Sequence, residues 1–476
     1  MRKHGGVAVA LDRSATSKSV SQQNSRKPTP TPPLAADTDE LALGYCYHYH
    51  VVRRGAATVT DDMVLASMRA LGMASVSNGA HSTRLQEKAF SYYLSALRMV
   101  NAALRSPVGM MQNTTLLAII NLSCFESIQG GKRKRSLRDW AVHTQGMAAL
   151  IEQRGPQQLR SVAGRSYFFQ TCTFVLSNCI RAGLRIPDAM SNLLTKLLSP
   201  VNPRSLIMLT MLASVNLKAD ILHGTLTVPG DIVPRALQLD AQFASALSFD
   251  IPTPQGFDFK AITHWRRAGS TLPSYALLYE SEIAGNMWNT VRTGRMLCNG
   301  IIVETLANFA GSNCTIETSR TIAKSREIIY RMQSEMLASL AQDERTTGVP
   351  FGTMANMLSG DAIFPKDFSG SPIEFGELVP DDLPLLCTPR VYAQCFNLAF
   401  AGRLADYDSE IRQVSRHALT VIGEIRGLPL ASILAASLKD NQIAAALIRY
   451  HDKADLVPSN DSYVSTHSAP MHVKTE

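Results

Sequence analysis

The chain has no C-x-x-C pair. Its eight cysteines stand apart at Cys46, Cys124, Cys172, Cys179, Cys298, Cys314, Cys387 and Cys395. That is too sparse for a secreted disulfide scaffold, so reduced thiols in an intracellular compartment are expected. Long apolar runs are missing too. The longest, TLLAII and LIMLTMLA, fall well short of the about 20 residues needed to cross a bilayer. There is no P-loop, no G-x-G-x-x-G behind a strand, no H-E-x-x-H and no G-x-S-x-G, and their absence argues against an enzyme. Charged residues make up 18%, below the usual quarter or so. No alternating strand series and no repeat of fixed period stands out.

What remains is an ordinary globular composition, 45% hydrophobic over 476 residues, with a formal net charge of +8. That charge is thin over such a length. It is compatible with a polyanionic partner without requiring one. Residues 1–40 are polar and rich in Ser and Pro, and are expected to be disordered. Asp12 interrupts the short apolar patch near Met1, which argues against a secretory signal. The Arg, Lys and Ser content of residues 1–36 leaves a mitochondrial presequence as an alternative. The tail 457–476 also reads as disordered. Between the two tails, residues 41–456 read as one all-α domain with a long irregular connection at 345–386, rich in Gly, Pro and Asp.

The helical signal is strongest from residue 81 onward. Leu85, Ala89, Tyr92, Tyr93, Ala96, Val100 and Leu104 form one stripe at 3.6-residue spacing. Thr83 with Gln86 is a capping box, and Pro107 stops the pattern. Asn113 is placed to cap TTLLAIINLSCFESI, apolar nearly all round and therefore a central buried helix. Ser136 and Asp139 form another box, Trp140, His143, Met147, Leu150 and Ile151 share one face, and Gly155-Pro156 closes that helix. Further helices are expected at 164–182, 188–198, 204–217, 232–248, 276–309, 316–341, 389–405, 408–425 and 430–449.

Few residues carry chemistry. Cys46, His48 and His50 are the best metal candidates, but three ligands with no partner pair do not make a closed zinc site. An aromatic segment packed on the helical core is the simpler reading. His143 beside Trp140 reads as a satisfied core histidine, Tyr92-Tyr93 as core rather than a base-stacking platform, and Cys172 with Cys179 as buried small hydrophobes on one helix face. Lys132, Arg133, Lys134 and Arg135 form the densest basic run. They are expected in a surface loop between two buried helices. A nuclear address and an inert solvated loop stand as equal readings, both ahead of a nucleic-acid grip.

The order and spacing of AFSYYLSALRMVNAALRSP, TTLLAIINLSCFESI, WAVHTQGMAALIEQRGPQQLRSVAGRSYFF and NCIRAGLRIPDAM resemble the regulatory domain of fungal binuclear zinc-cluster transcription factors. The matching positions include Tyr93, Ala96, Leu97, Asn101, Leu116, Leu117, Phe125, Glu126, Trp140, His143, Gly146, Leu150, Ile151, Arg154, Gly155, Gly164, Arg165, Phe168, Asn178, Ile180 and Pro187. Near the C-terminus, FNLAFAGRL and ALTVIGEIRGLPLASILAASL resemble the closing helices of that domain. The resemblance implies an irregular all-α array in a nuclear regulator, not an enzyme. Its expected partners are proteins of the transcription machinery or a DNA-binding factor, together with a small-molecule effector of unknown identity and no membrane. The family's DNA-binding part needs six cysteines in two C-x2-C-x6-C halves, and residues 1–45 contain none. Zinc is therefore expected only if an upstream segment supplies that cluster, and direct DNA contact should be weak and non-specific. The alternatives are a non-transcriptional helical interaction scaffold, cytoplasmic or mitochondrial, and, further off, a helical enzyme without a recognisable motif.

Overall fold

The computed structural model describes residues 38–46, 61–79, 82–129, 136–198, 203–245, 259–263, 275–279, 282–310, 315–340, 389–406, 408–425 and 428–439. Among these the fold is all-α, with one small hairpin added. The helices are α1 (Thr38–Cys46), α2 (Asp62–Gly79), α3 (Thr83–Leu104), α4 (Pro107–Met111), α5 (Asn113–Gln129), α6 (Ser136–Arg154), α7 (Val162–Ala182), α8 (Asp188–Leu197), α9 (Pro203–Leu222) and α10 (Pro229–Ser245). After the strands β1 (Phe259–Thr263) and β2 (Tyr275–Tyr279) come α11 (Glu282–Ala310), α12 (Ile316–Ala338), α13 (Pro389–Leu404), α14 (Glu410–Ile425) and α15 (Pro429–Ser437). A 3-10 turn at Gly155–Arg160 joins α6 to α7.

The periodicity produced most of these elements for the reason expected. Along α3 the buried residues are Ala89, Tyr93, Ala96, Leu97 and Val100, one apolar stripe. α5 is buried on nearly every side. Ile411, Val414, Ala418, Leu419 and Ile422 form the buried stripe of α14.

Several local expectations are corrected. The cap of α3 is Ser82, whose side chain accepts from the Leu85 N–H, rather than Thr83. Pro107 does not merely end a helix. It opens α4 at the first helical turn, where its missing N–H costs nothing, behind the capping Ser106. Residues 275–279 were expected to begin a helix. They form β2 instead, antiparallel to β1 with Phe259 opposite Tyr279 and Thr263 opposite Tyr275. Helix α1 starts at Thr38, inside the segment expected to be disordered up to residue 40. The irregular connection at 345–386, the tail from 457 and residues 440–449 lie outside the described residues.

Two large apolar cores result. The first joins α1, α2, α3 and α5 to α13, α14 and α15, so it draws on both ends of the sequence. The second is built from α7 to α11, with Ile151 from α6. α9 is the one described helix long and apolar enough to cross a membrane, from Ser205 to Leu222, but half of that stretch is buried within the protein. Ile207, Met211, Leu212 and Val215 lie in the second core, which accounts for its composition.

Candidate functional site

Most of the positions that carry the resemblance prove to be framework. The Tyr93 ring stacks on Phe125 with centroids 4.6 Å apart and planes 17° apart, pinning α3 to the central α5. Glu126, next to Phe125, is half-buried.

Arg154 ends α6 and is 1% exposed. Its Nη1 donates to the carbonyls of Met110 (2.9 Å) and Gln112 (2.7 Å), and its Nη2 to Asn113 Oδ1 (2.7 Å). These are the carbonyls left over where α4 gives way to α5, so one guanidinium satisfies a helix junction. The Asn113 side chain, placed by sequence as a cap, is taken up by this clasp instead, and its Nδ2 reaches Ser161 Oγ at 3.3 Å. Burial lowers the Arg154 pKa. Gly155 follows with φ of 56°, the left-handed conformation that lets the chain leave α6. Arg165 donates to the Leu159 carbonyl at 2.9 Å and so ties α7 to the 3-10 turn.

Asn178 is buried and accepts from Arg181 Nη2 at 2.8 Å. Pro187 stands at the N-cap of α8. Gly146 is exposed on α6. Trp140 and His143 lie in α6, but their side chains are outside the described residues, as are Lys132, Arg133, Lys134 and Arg135 and, on the other side of Cys46, His48 and His50. Cys46 itself is fully buried in the first core.

Three polar groups that sequence reading did not find lie deep in the helical body. Where β2, α11 and α12 meet, Arg292 is 1% exposed and donates to Tyr279 Oη, to Asn289 Oδ1 at 2.8 Å and to Glu335 Oε2 at 3.2 Å. The same guanidinium lies 5.6 Å from the ring centroids of both Tyr279 and Trp288. Asn289 continues the network to Ser339 Oγ and Gln394 Oε1. The hub therefore locks the hairpin, α11, α12 and α13 together. Between α10 and α11, Arg295 holds Asp240 with both arms, Nε to Oδ1 at 2.8 Å and Nη2 to Oδ2 at 3.0 Å, and Asn299 donates to the same carboxylate at 2.9 Å.

The third group is made of like charges. Arg181 in the last turn of α7, Arg403 in the last turn of α13 and Arg412 in the first turn of α14 lie close enough to act on one another. Arg412 Nε donates to the Leu438 carbonyl at 3.0 Å and its Nη1 reaches Ala405 O at 3.5 Å, so it sits at the end of α13. Burial first, and the Arg403 charge second, push Arg181 down to about 10. Burial and then the Arg412 charge lower Arg403. No local sequence signal marks this cluster, because its members are brought together only by the closure of separate helices.

The described thiols suit packing rather than chemistry. Cys46, Cys124, Cys172, Cys179, Cys298 and Cys395 are all buried and form no disulfide. Burial raises Cys172, and pushes Cys179 and Cys298 up to about 12, which keeps them protonated and unreactive near neutrality. Among the described residues, no group of three His, Cys, Asp or Glu is placed to hold a metal ion.

Residues 56–182, which take in α2 through α7, match the fungal specific transcription factor domain family. No curated protein and no solved structure matches the chain.

Proposed function

We propose that this chain is a transcriptional regulator, or a protein derived from one, whose helical body serves as a regulatory and interaction domain. The observation that carries the reading is the match of residues 56–182 to the fungal specific transcription factor domain, over helices that are built into the larger body. Within this sequence there is no six-cysteine array, so the direct base readout such factors use would come from a partner protein or from a segment not included here. The proposed setting is the nucleus, and the proposed partners are proteins of the transcription machinery or a DNA-binding factor.

Fusing the 476 residues to an unrelated DNA-binding module above a reporter tests this. The expected outcome is a change in reporter output, up or down, relative to the module alone. Unchanged output from a fusion seen by microscopy to occupy the nucleus would remove the basis for the proposal.

A further inference from the structure

Helix α12 has two unlike faces. Its inner stripe, Ser325, Ile329, Met332, Gln333 and Met336, is buried. There Met332 and Met336 cluster with Met296 of α11 and Ala401 of α13. The outer stripe is Ile316, Arg320, Ala323, Glu327 and Tyr330, and every one of these is exposed. Alternating steps of four and three residues keep the five on one side of the helix. Ile316 is 81% exposed, more than any other large apolar side chain among the described residues. From Thr315 to Lys324 no residue is buried. Helices draw most of their stability from packing, so these first turns, capped by Thr315, leave a face that a partner can cover.

The charges on that face select the partner. Arg320 and Glu327 form no ion pair among the described residues, nor do Glu317, Lys324 and Arg331. A surface of one sign would answer only half of them. A second α12 laid alongside in the same direction would set Arg320 on Arg320 and Glu327 on Glu327. Turned end for end about an axis between Ala323 and Lys324, it sets Arg320 against Glu327 of the second copy, since the two lie equally far from the axis on opposite sides. Glu317 and Arg331 share a flank of the helix, so they meet across the same axis, and Ile316 comes near Tyr330. Two-fold symmetry forms each of these pairs twice. Ala323 at the axis is small enough for close approach, and only Lys324 meets its own copy.

We propose that α12 is the contact between two copies of this chain, antiparallel and two-fold about Ala323 and Lys324. Arg320 pairs with Glu327 of the second copy, and Ile316 and Tyr330 close the two ends. The contact runs from Ile316 to Arg331, about 24 Å of helix, and is small beside a standard interface of about 1,600 Å². The dimer is therefore reversible, with a dissociation constant in the micromolar range. The assembly goes beyond the transcriptional reading and does not depend on it.

Sedimentation equilibrium of the full chain from about 1 to 200 μM, at low ionic strength where surface charges act most strongly, tests this. The mass should climb from one chain toward two. Arg320→Glu and Glu327→Arg should each weaken the dimer about tenfold or more, because each sets like charges together twice. Mixed in equal amounts, the two variants should recover the affinity of the unmodified chain, since each copy then supplies the charge that the other lacks. Both positions are exposed, so neither change should alter the melting temperature of the monomer. If either variant fails to fold, Ala323→Lys takes its place, adding bulk and like charge at the axis, and should abolish the dimer. A mass of one chain at every concentration overturns the proposal and leaves the stripe to a different protein. A dimer that the substitutions leave undiminished lies elsewhere on the surface and overturns it too, as does a mixture that associates no better than its components.

Discussion

Gly72 of α2 and Ala42 of α1 meet backbone to backbone. A Cβ on Gly72 would stand 2.0 Å from the Ala42 carbonyl oxygen. Helix α1 can therefore lie on α2 only because residue 72 has no side chain. At its start, Asp39 accepts from Lys88 at 2.8 Å and from Tyr92 Oη at 2.7 Å, and Cys46 at its end is buried in the first core. Burial works against the Asp39 charge, but the hydrogen bonds from Lys88 and Tyr92 outweigh it and the carboxyl is held below its usual range.

Gly72→Ala should therefore lift α1 away while the rest of the first core survives. The expected readings are faster amide exchange and new protease cutting confined to residues 38–46, with a loss of about 1–3 kcal/mol in urea unfolding. Protection of α1 equal to that of the unmodified protein would show that the contact can relax.

Arg154→Met removes three hydrogen bonds from a charged donor and leaves the Met110 and Gln112 carbonyls without it. A loss of about 3 kcal/mol or more in urea unfolding is expected. Arg154→Lys should recover only part of it, because an ammonium cannot span three acceptors in the plane of a guanidinium. Full rescue by Lys would mean that charge alone matters at this junction.

The buried thiols give a pH dependence with a definite sign. Cys179 and Cys298 are pushed up to about 12 in the folded chain, against about 8.5 in an unfolded one. Between those values the unfolded state has given up protons that the folded state keeps, so stability falls as pH rises above about 9. Urea midpoints from pH 7 to pH 10.5 should show this decline. It should shrink in Cys179→Ala/Cys298→Ala, measured against that variant's own midpoint at pH 7. An undiminished decline in the double variant would place its origin elsewhere.

Replacing Lys132, Arg133, Lys134 and Arg135 with Ala is expected to shift a tagged chain toward the cytoplasm while changing stability by no more than about 0.5 kcal/mol. Deleting residues 1–36, which hold Arg2, Lys3, Arg26 and Lys27, is the control. Nuclear accumulation that survives the four substitutions and is lost on the deletion would assign the address to the N-terminal segment.

The helices were legible because each is a local pattern. The stripe of α3, the all-round apolar character of α5 and the Gly155-Pro156 stop can each be read within a few turns of sequence. The hairpin was not, since YALLY in β2 is too short for periodicity to separate strand from helix, and its pairing depends on residues from Phe259 on. Burial of Tyr93, Cys172 and Cys179 could be inferred from the face each shares with apolar neighbours. The role of Arg154 could not. A lone arginine at a helix end reads as solvated, and the carbonyls that hold it lie more than forty residues earlier in the chain. A similar separation hid Arg292 with Glu335, and a longer one hid Arg181 beside Arg403.

The two cores are also two moments in the life of the chain. The buried residues of the second core all come from between Ile151 and Ile302, so most of it can close once α11 has left the ribosome. The first core cannot. Its N-terminal helices wait for α13 to α15, made hundreds of residues later, and until then the apolar faces of α2, α3 and α5 stand open to chaperones and to other nascent chains. The stretch that matches the transcription-factor domain straddles both cores, with α2 to α5 in one and α7 in the other. Cut out on its own it would carry two half-built interiors, and the natural unit to express is the whole helical body.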